Sequence, residues 1–153
     1  MGSWRDDPGI WAWSAFLRAH ATAVRAVDRE VQQRTGMPLA WYDVLLELNA
    51  APGRRMRMFD LGEAVVLSRT RVSRIIDDMV TAGLVARETN AEDRRSSYAS
   101  LTPSGRTAFR RAAPAYLTAI REHFVARLSS RELGTIATAM ERVAAAEGRH
   151  SEV

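Results

Sequence analysis

Between residues 84 and 101 the spacing of apolar side chains changes from the three-and-four rhythm of a helix to short strand-like runs. Leu-Val-Ala-Arg-Glu-Thr on one side and Ser-Tyr-Ala-Ser-Leu on the other flank a polar stretch, residues 90–95. This pattern predicts a two-stranded hairpin with a longer loop. Any fold for the chain must seat that one hairpin among helices, because everything on either side of it reads as helical.

Asp7-Pro8 reads as an N-cap followed by proline at the first helical position. Ile10, Trp13, Leu17, His20, Val24, Val27 and Val31 then recur at spacings of three and four, giving one long seam that closes near Gly36. A seam of that length suits a second long helix or a partner chain. Pro38 restarts the chain, and Trp41, Val44, Leu45 and Leu48 define a short helix stopped by Pro52-Gly53. Asp60-x-x-Glu63 resembles a capping box opening another short helix through Val66. Ser68 is the expected cap of the next helix, with Gly83 as the residue that ends it. Beyond the hairpin, Thr102-Pro103 caps a long helix that should bend at Pro114, where proline removes a backbone donor. Ser129-x-x-Glu132 is a capping box for a last helix carrying Leu133, Ile136, Met140 and Val143. A helix-turn-helix followed directly by a hairpin is a winged helix, here with long helices outside it. The fold class expected is mainly α with a small β-hairpin wing.

Composition narrows the function classes. Of 153 residues, 46% are hydrophobic, too many for a disordered chain. No run approaches the ~18 apolar residues of a membrane span, and the N-terminus lacks a signal peptide pattern, so a cytoplasmic protein without membrane contact is expected. Cysteine is absent, which removes disulfides and thiolate metal sites. The three histidines, His20, His123 and His150, are scattered, and no metal or other cofactor is expected. No Gly-rich phosphate loop, His-Glu-x-x-His or Gly-x-Ser-x-Gly occurs, so an enzyme is not expected. The net charge is +4, and all 22 basic residues are arginine. Arginine's planar fork of donors matches phosphates and guanine edges. A biased genome would also remove lysine, so the position of the arginines has to decide.

That position is informative in residues 68–81. On a helical wheel, Ile75, Ile76 and Met79 fall within about 60° of Val72, while Thr70, Arg74 and Thr81 lie opposite. Arg69 and Arg71 occupy the first turn, and the acids Asp77 and Asp78 come later. A helix N-terminus carries partial positive charge, and a cation there gives up roughly 0.3–1 kcal/mol. A phosphate or base docked at that end accounts for the order. The bland alternative is a solvated face on which Arg74 pairs with Asp77 and Asp78. The capped helix before and the hairpin after favour the first reading.

At this point the chain resembles the MarR family of winged-helix regulators, from its first helix to its last. The most specific resemblance lies at the hairpin: Asp93 and Arg95 match an Asp-x-Arg at the wing, and Leu101, Thr102 and Gly105 match Leu-Thr-x-x-Gly. Ser68 with Val-Ser-Arg-Ile-Ile-Asp-Asp-Met, then Ala82-Gly83-Leu84-Val85 and Arg87, resembles the recognition helix and the start of the wing. Asp78 departs from the pattern, standing where many relatives carry a basic or neutral residue. The resemblance implies a homodimer on a palindromic operator in double-stranded DNA, with Arg95 and its neighbour Arg94 entering the minor groove and Asp93 bracing the tip. It divides the single domain, residues 1–153, into a winged helix-turn-helix lobe at 38–102 and dimerisation helices at 8–36 and 103–148. DNA contacts are then expected from Ser68, Arg69, Thr70, Arg71, Ser73, Arg74, Arg94 and Arg95.

Many relatives bind a small aromatic or phenolic effector between the dimerisation helices and the reading lobe. Here His20 interrupts an apolar seam close to Trp13 and Phe16, and Trp41 follows shortly. An aromatic wall with one polar group suits such a ligand. A lone histidine in an apolar stripe is also the signature of a core residue, so both readings stand. The function expected is a dimeric, sequence-specific repressor relieved by a small ligand. Its rival is a ligand-binding or protein-interaction module on the same fold that has lost specific DNA binding.

Overall fold

The computed structural model describes residues 7–65, 69–89 and 97–148. Helix α1, Pro8–Thr35, begins as expected: the Asp7 carboxylate accepts the N–H groups of Gly9 at 2.7 Å and Ile10 at 3.2 Å. It ends at Gly36, whose φ of 73° is the left-handed conformation that glycine adopts without a Cβ clash. The seam is covered only over its second half. Val27 and Val31 pack with Leu39 and Ala119, while Ile10, Trp13, Leu17 and Val24 remain exposed.

Helix α2, Leu39–Ala50, follows Pro38, which has no side-chain acceptor to cap it. A residue from another helix does so instead: the Leu39 N–H donates to Asp28 Oδ1 of α1 at 2.8 Å. A 3₁₀ turn at Pro52–Arg54 then leads into a strand absent from the expected pattern, β1, Arg55–Arg57. Three residues with arginine at both ends are too short to display alternation. Helix α3, Met58–Ala64, corrects the expected capping box. It starts two residues before Asp60, preceded by Arg57, whose side chain makes no capping hydrogen bond, so Asp60 lies inside the first turn. Val66 and Ser68, with the end and cap proposed for them, lie outside the described residues. Helix α4, Arg69–Thr81, closes at Gly83, where φ is again 73°.

The expected hairpin forms from β2, Val85–Thr89, and β3, Ser97–Leu101. The sheet nevertheless has three antiparallel strands in the order β1-β3-β2, with Met56 opposite Ala99 and Arg87 opposite Ala99 on the other side. Under it lies the main core: Leu45 and Leu48 of α2, Leu61 of α3, Val72, Ile76 and Met79 of α4, and Val85 of β2. Each of these fully buried side chains contributes on the order of 1.5–3 kcal/mol.

Helix α5, Pro103–His123, runs as one element through Pro114. It serves two cores, with Ala112 in the main one and Ala119 against Val27 and Val31 of α1. At the junction of α1, α2 and α5, the half-buried Asp43 carboxyl is pushed up to about 6 by burial, with Glu47 and Asp28 adding to the effect. After a 3₁₀ turn at Val125–Arg127 comes α6, Ser130–Gly148. Its capping box is reciprocal, as the spacing predicts: the Ser129 N–H donates to Glu132 Oε2 at 2.8 Å, and the Glu132 N–H to Ser129 Oγ at 3.3 Å. Ile136, Met140 and Val143, the apolar stripe of α6, stay exposed. Among the described residues no helix is long and apolar enough to cross a membrane.

Candidate nucleic-acid interface

The sequence Val72-x-x-Ile75-Ile76-x-x-Met79 sets how α4 sits. Val72, Ile76 and Met79 are buried and Ile75 is half-buried, so the helix is held by one face. The opposite face exposes Thr70, Arg74 and Thr81, as the helical wheel predicts, with Arg71 exposed at its flank. Arg69 is the first residue of the helix. A groove of about 570 Å³ opens beside this face, walled by Met58, Phe59, Thr70, Ser73, Arg74 and Arg87.

The wing base is tied to this helix by one side chain. Arg87 of β2 donates to Asp77 Oδ1 at 2.7 Å and to Ser73 Oγ at 3.1 Å. Asp77 is therefore engaged across the fold, and no ion pair of Arg74 with Asp77 or Asp78 occurs among the described residues. Sequence reasoning missed this clasp because residues ten apart in the chain show no helical spacing. Asp93, Arg94 and Arg95, expected at the wing tip, lie outside the described residues, as does Ser68.

On the far strand, Arg55 lies over the Tyr98 ring at 3.9 Å and pairs with Glu88 at 3.3 Å. Glu88 also accepts from the Ser100 hydroxyl at 2.8 Å, and Arg57 Nε donates to the Tyr98 hydroxyl at 3.2 Å. These contacts tie all three strands together at the level where the wing begins.

The motif after the wing has a structural reason. Thr102 accepts the Gly105 N–H at 2.9 Å as the cap of α5, and its hydroxyl lies 2.7 Å from the Gly83 carbonyl oxygen. Gly105 packs so tightly that a Cβ there would strike the Leu84 carbonyl. Leu-Thr-x-x-Gly thus locks the start of α5 onto the turn that ends α4.

Of the residues considered for a ligand, Trp13, Phe16 and His20 come together on the exposed half of α1, with ring centroids 5.9 and 6.1 Å apart in succession. Trp41 lies on α2, half-buried against the main core. None of the four walls the groove beside α4. Elsewhere, Glu30, Glu122 and His123 each bring one ligand atom within 4.8 Å of the others. Glu30 is already engaged there: His123 Nε2 lies 2.6 Å from one oxygen and Arg34 Nη2 2.6 Å from the other. The cluster reads as a polar clasp between α1 and α5.

Comparisons with known proteins agree with this geometry. A family model described as MarR family matches residues 35–96. AbsC, a MarR family transcriptional regulator from Streptomyces coelicolor, is 31% identical over 94% of this chain and 96% of its own, with a TM-score of 0.81. Sco3205, a MarR family transcriptional regulator from the same organism solved in complex with DNA, is 29% identical over 94% of this chain and 90% of its own, with a TM-score of 0.83. Bordetella bronchiseptica BpsR, whose DNA binding is regulated by 6-hydroxynicotinic acid, shares the fold at 19% identity, with a TM-score of 0.77 over 88% of this chain and 98% of its own. A winged-helix lobe between long outer helices, matched along nearly the full length of such regulators, shows that this chain belongs to the MarR family of transcriptional regulators.

Proposed function

We propose that this regulator is a homodimeric repressor that binds a palindromic operator in the cytoplasm and is released by a small aromatic or phenolic molecule. One observation carries the DNA-reading part: α4 packs Val72, Ile76 and Met79 of one face into the core and offers Thr70, Arg71 and Arg74 on the other, with Arg87 holding the wing base beside it. In this reading α4 enters the major groove, and its N-terminal residues, Ser68 to Arg74, contact bases and phosphates. Arg94 and Arg95 reach the adjacent minor groove, where A·T-rich steps are narrow and strongly negative, and Asp93 braces them.

The outer helices, 8–36 and 103–148, form the dimer interface. The exposed seam of α1 and the exposed stripe of α6 support this, since a lone protomer leaves both in water. The effector would sit against Trp13, Phe16 and His20, with Trp41 approached from the reading lobe. The exposed aromatic run on α1 and the regulation of BpsR by an aromatic acid support that assignment.

The test is a fluorescence-anisotropy titration of the purified protein against its own upstream intergenic DNA, with competitor DNA and fixed salt. Tight, competitor-resistant binding is expected. Arg74→Ala should lose about 1–3 kcal/mol, and Arg95→Ala should weaken binding by a similar amount. Binding no tighter than to random duplex, and unchanged by both substitutions, would sink the operator-reading proposal.

A further inference from the structure

Phe59 is a large apolar side chain that the packing of the chain does not bury. In the seven-residue α3, Leu61 and Gly62 are buried and Met58 packs half-buried against the main core. At about 100° per residue those three share one side of the helix, and Phe59 comes roughly 100° round from it. Its ring stands 53% exposed, more than any other large apolar side chain described between α1 and α5. The exposed stripes of α1 and α6 have a second protomer to cover them in the dimer reading. Phe59 lies on neither helix. One exposed apolar side chain is ordinary on a protein surface, so its place has to carry the argument.

That place is the groove of about 570 Å³ beside α4. Helix α3 supplies Met58 and Phe59 to its walls, α4 supplies Thr70, Ser73 and Arg74, and β2 supplies Arg87. Arg87 already donates to Asp77 and Ser73, whereas Arg74 is exposed and makes no ion pair among the described residues. The groove thus joins an aromatic ring to a cation and hydroxyls, on a surface continuous with the exposed face of α4. In the major groove of duplex DNA every base pair shows hydrogen-bonding atoms, but the 5-methyl of thymine is the one apolar group. An apolar ring beside a reading helix therefore has one matching chemical feature among the four bases.

We propose that Phe59 is a specificity-determining residue outside α4, whose ring packs on the 5-methyl group of an operator thymine while Arg74 takes the acceptors of a neighbouring base. This rests on the reading in which α4 enters the major groove. It adds α3 to the elements that read sequence, and it names the base read there.

The experiment separates the contact from the reading beneath it. Duplex is selected from a random pool by the purified full chain, and each thymine of the enriched sequence is replaced in turn by deoxyuridine. That removes the methyl group and leaves the hydrogen bonds of the pair intact. Affinity is read by fluorescence anisotropy at fixed salt. For wild type, at least one replacement should weaken binding about three- to fivefold, the effect of unburying one methyl group. For Phe59→Ala the same two duplexes should bind equally, and both more weakly than wild type binds the thymine duplex. Phe59→Leu, which keeps an apolar wall, should restore part of the difference. Deoxyuridine profiles that match between wild type and Phe59→Ala overturn the contact and leave operator reading intact. Equal weakening by Phe59→Ala on thymine and deoxyuridine duplexes, with the methyl effect retained, places the ring on the sugar-phosphate backbone and also overturns it. A pool that yields no enriched sequence removes the operator reading and this contact together.

Discussion

At Gly105 the α-carbon faces the carbonyl of Leu84, and the space between them is filled by a hydrogen and nothing larger. Any side chain there must push α5 away from the turn that closes α4. Gly105→Ala should therefore cost about 1–3 kcal/mol of stability, as overpacking does in a tight contact. Thermal unfolding would register this as a fall of roughly 2–12 °C. A variant as stable as wild type would show that the contact relaxes without effect. The glycine was visible in the sequence only as a letter in a family motif, because its partner lies 21 positions back, on the far side of a hairpin. Thr102 was legible as a helix cap from Thr-Pro alone, yet its hydroxyl also meets the carbonyls of Gly83 and Leu84. Arg87 illustrates the same limit: its partners Ser73 and Asp77 became neighbours only when β2 folded back along α4.

Caps that act locally were legible, and caps or pairings supplied by distant partners were not. Asp7 and the Ser129–Glu132 pair cap the helices they precede, because both signals act within three residues. Asp60-x-x-Glu63 carries the same letters but sits inside α3, where the chain leaves β1 directly. Helix α2 draws its cap from Asp28 on another helix, and β1 is a strand only because β3 offers it an edge. The junction where α2 meets α1 and α5 also carries a titration. Burial, then Glu47 and Asp28, raise the Asp43 carboxyl from 3.8 to about 6. The folded chain therefore holds this proton more tightly than the unfolded chain, so stability falls as pH rises between about 4 and 6 and is level above. Partial solvation screens the full shift, leaving on the order of 1 kcal/mol. Urea titrations at pH 4.5 and 7 should show that loss in wild type and a smaller one in Asp43→Asn. Equal losses in both proteins would assign the slope to other groups.

The outer helices leave several large apolar side chains in water. Trp11 is 67% exposed and Val143 59%, and both belong to outer helices rather than to the winged-helix part. Light scattering should give twice the chain mass of 17.0 kDa at micromolar concentration. Ile136→Glu/Val143→Glu should shift the mass toward that of one chain and lower the unfolding temperature in a concentration-dependent way. A wild-type chain that runs as a monomer would refute the pairing. The seam of α1 was legible from its three-and-four spacing. That only Val27 and Val31 are covered within one chain was not, because spacing tells which residues share a face and not what lies against it. The long α5 joins both parts: Gly105 is fixed to the turn after α4, and Ala119 to α1. The axial distance between those two anchors is about 21 Å at 1.5 Å per residue, so a tilt of ~5° pivoting at Ala119 would carry the α4 end through roughly 2 Å. If the proposed two-fold pair forms, the displacements add, and α5 would act as a lever that turns a slight change among the outer helices into a mismatch with the pitch of the double helix.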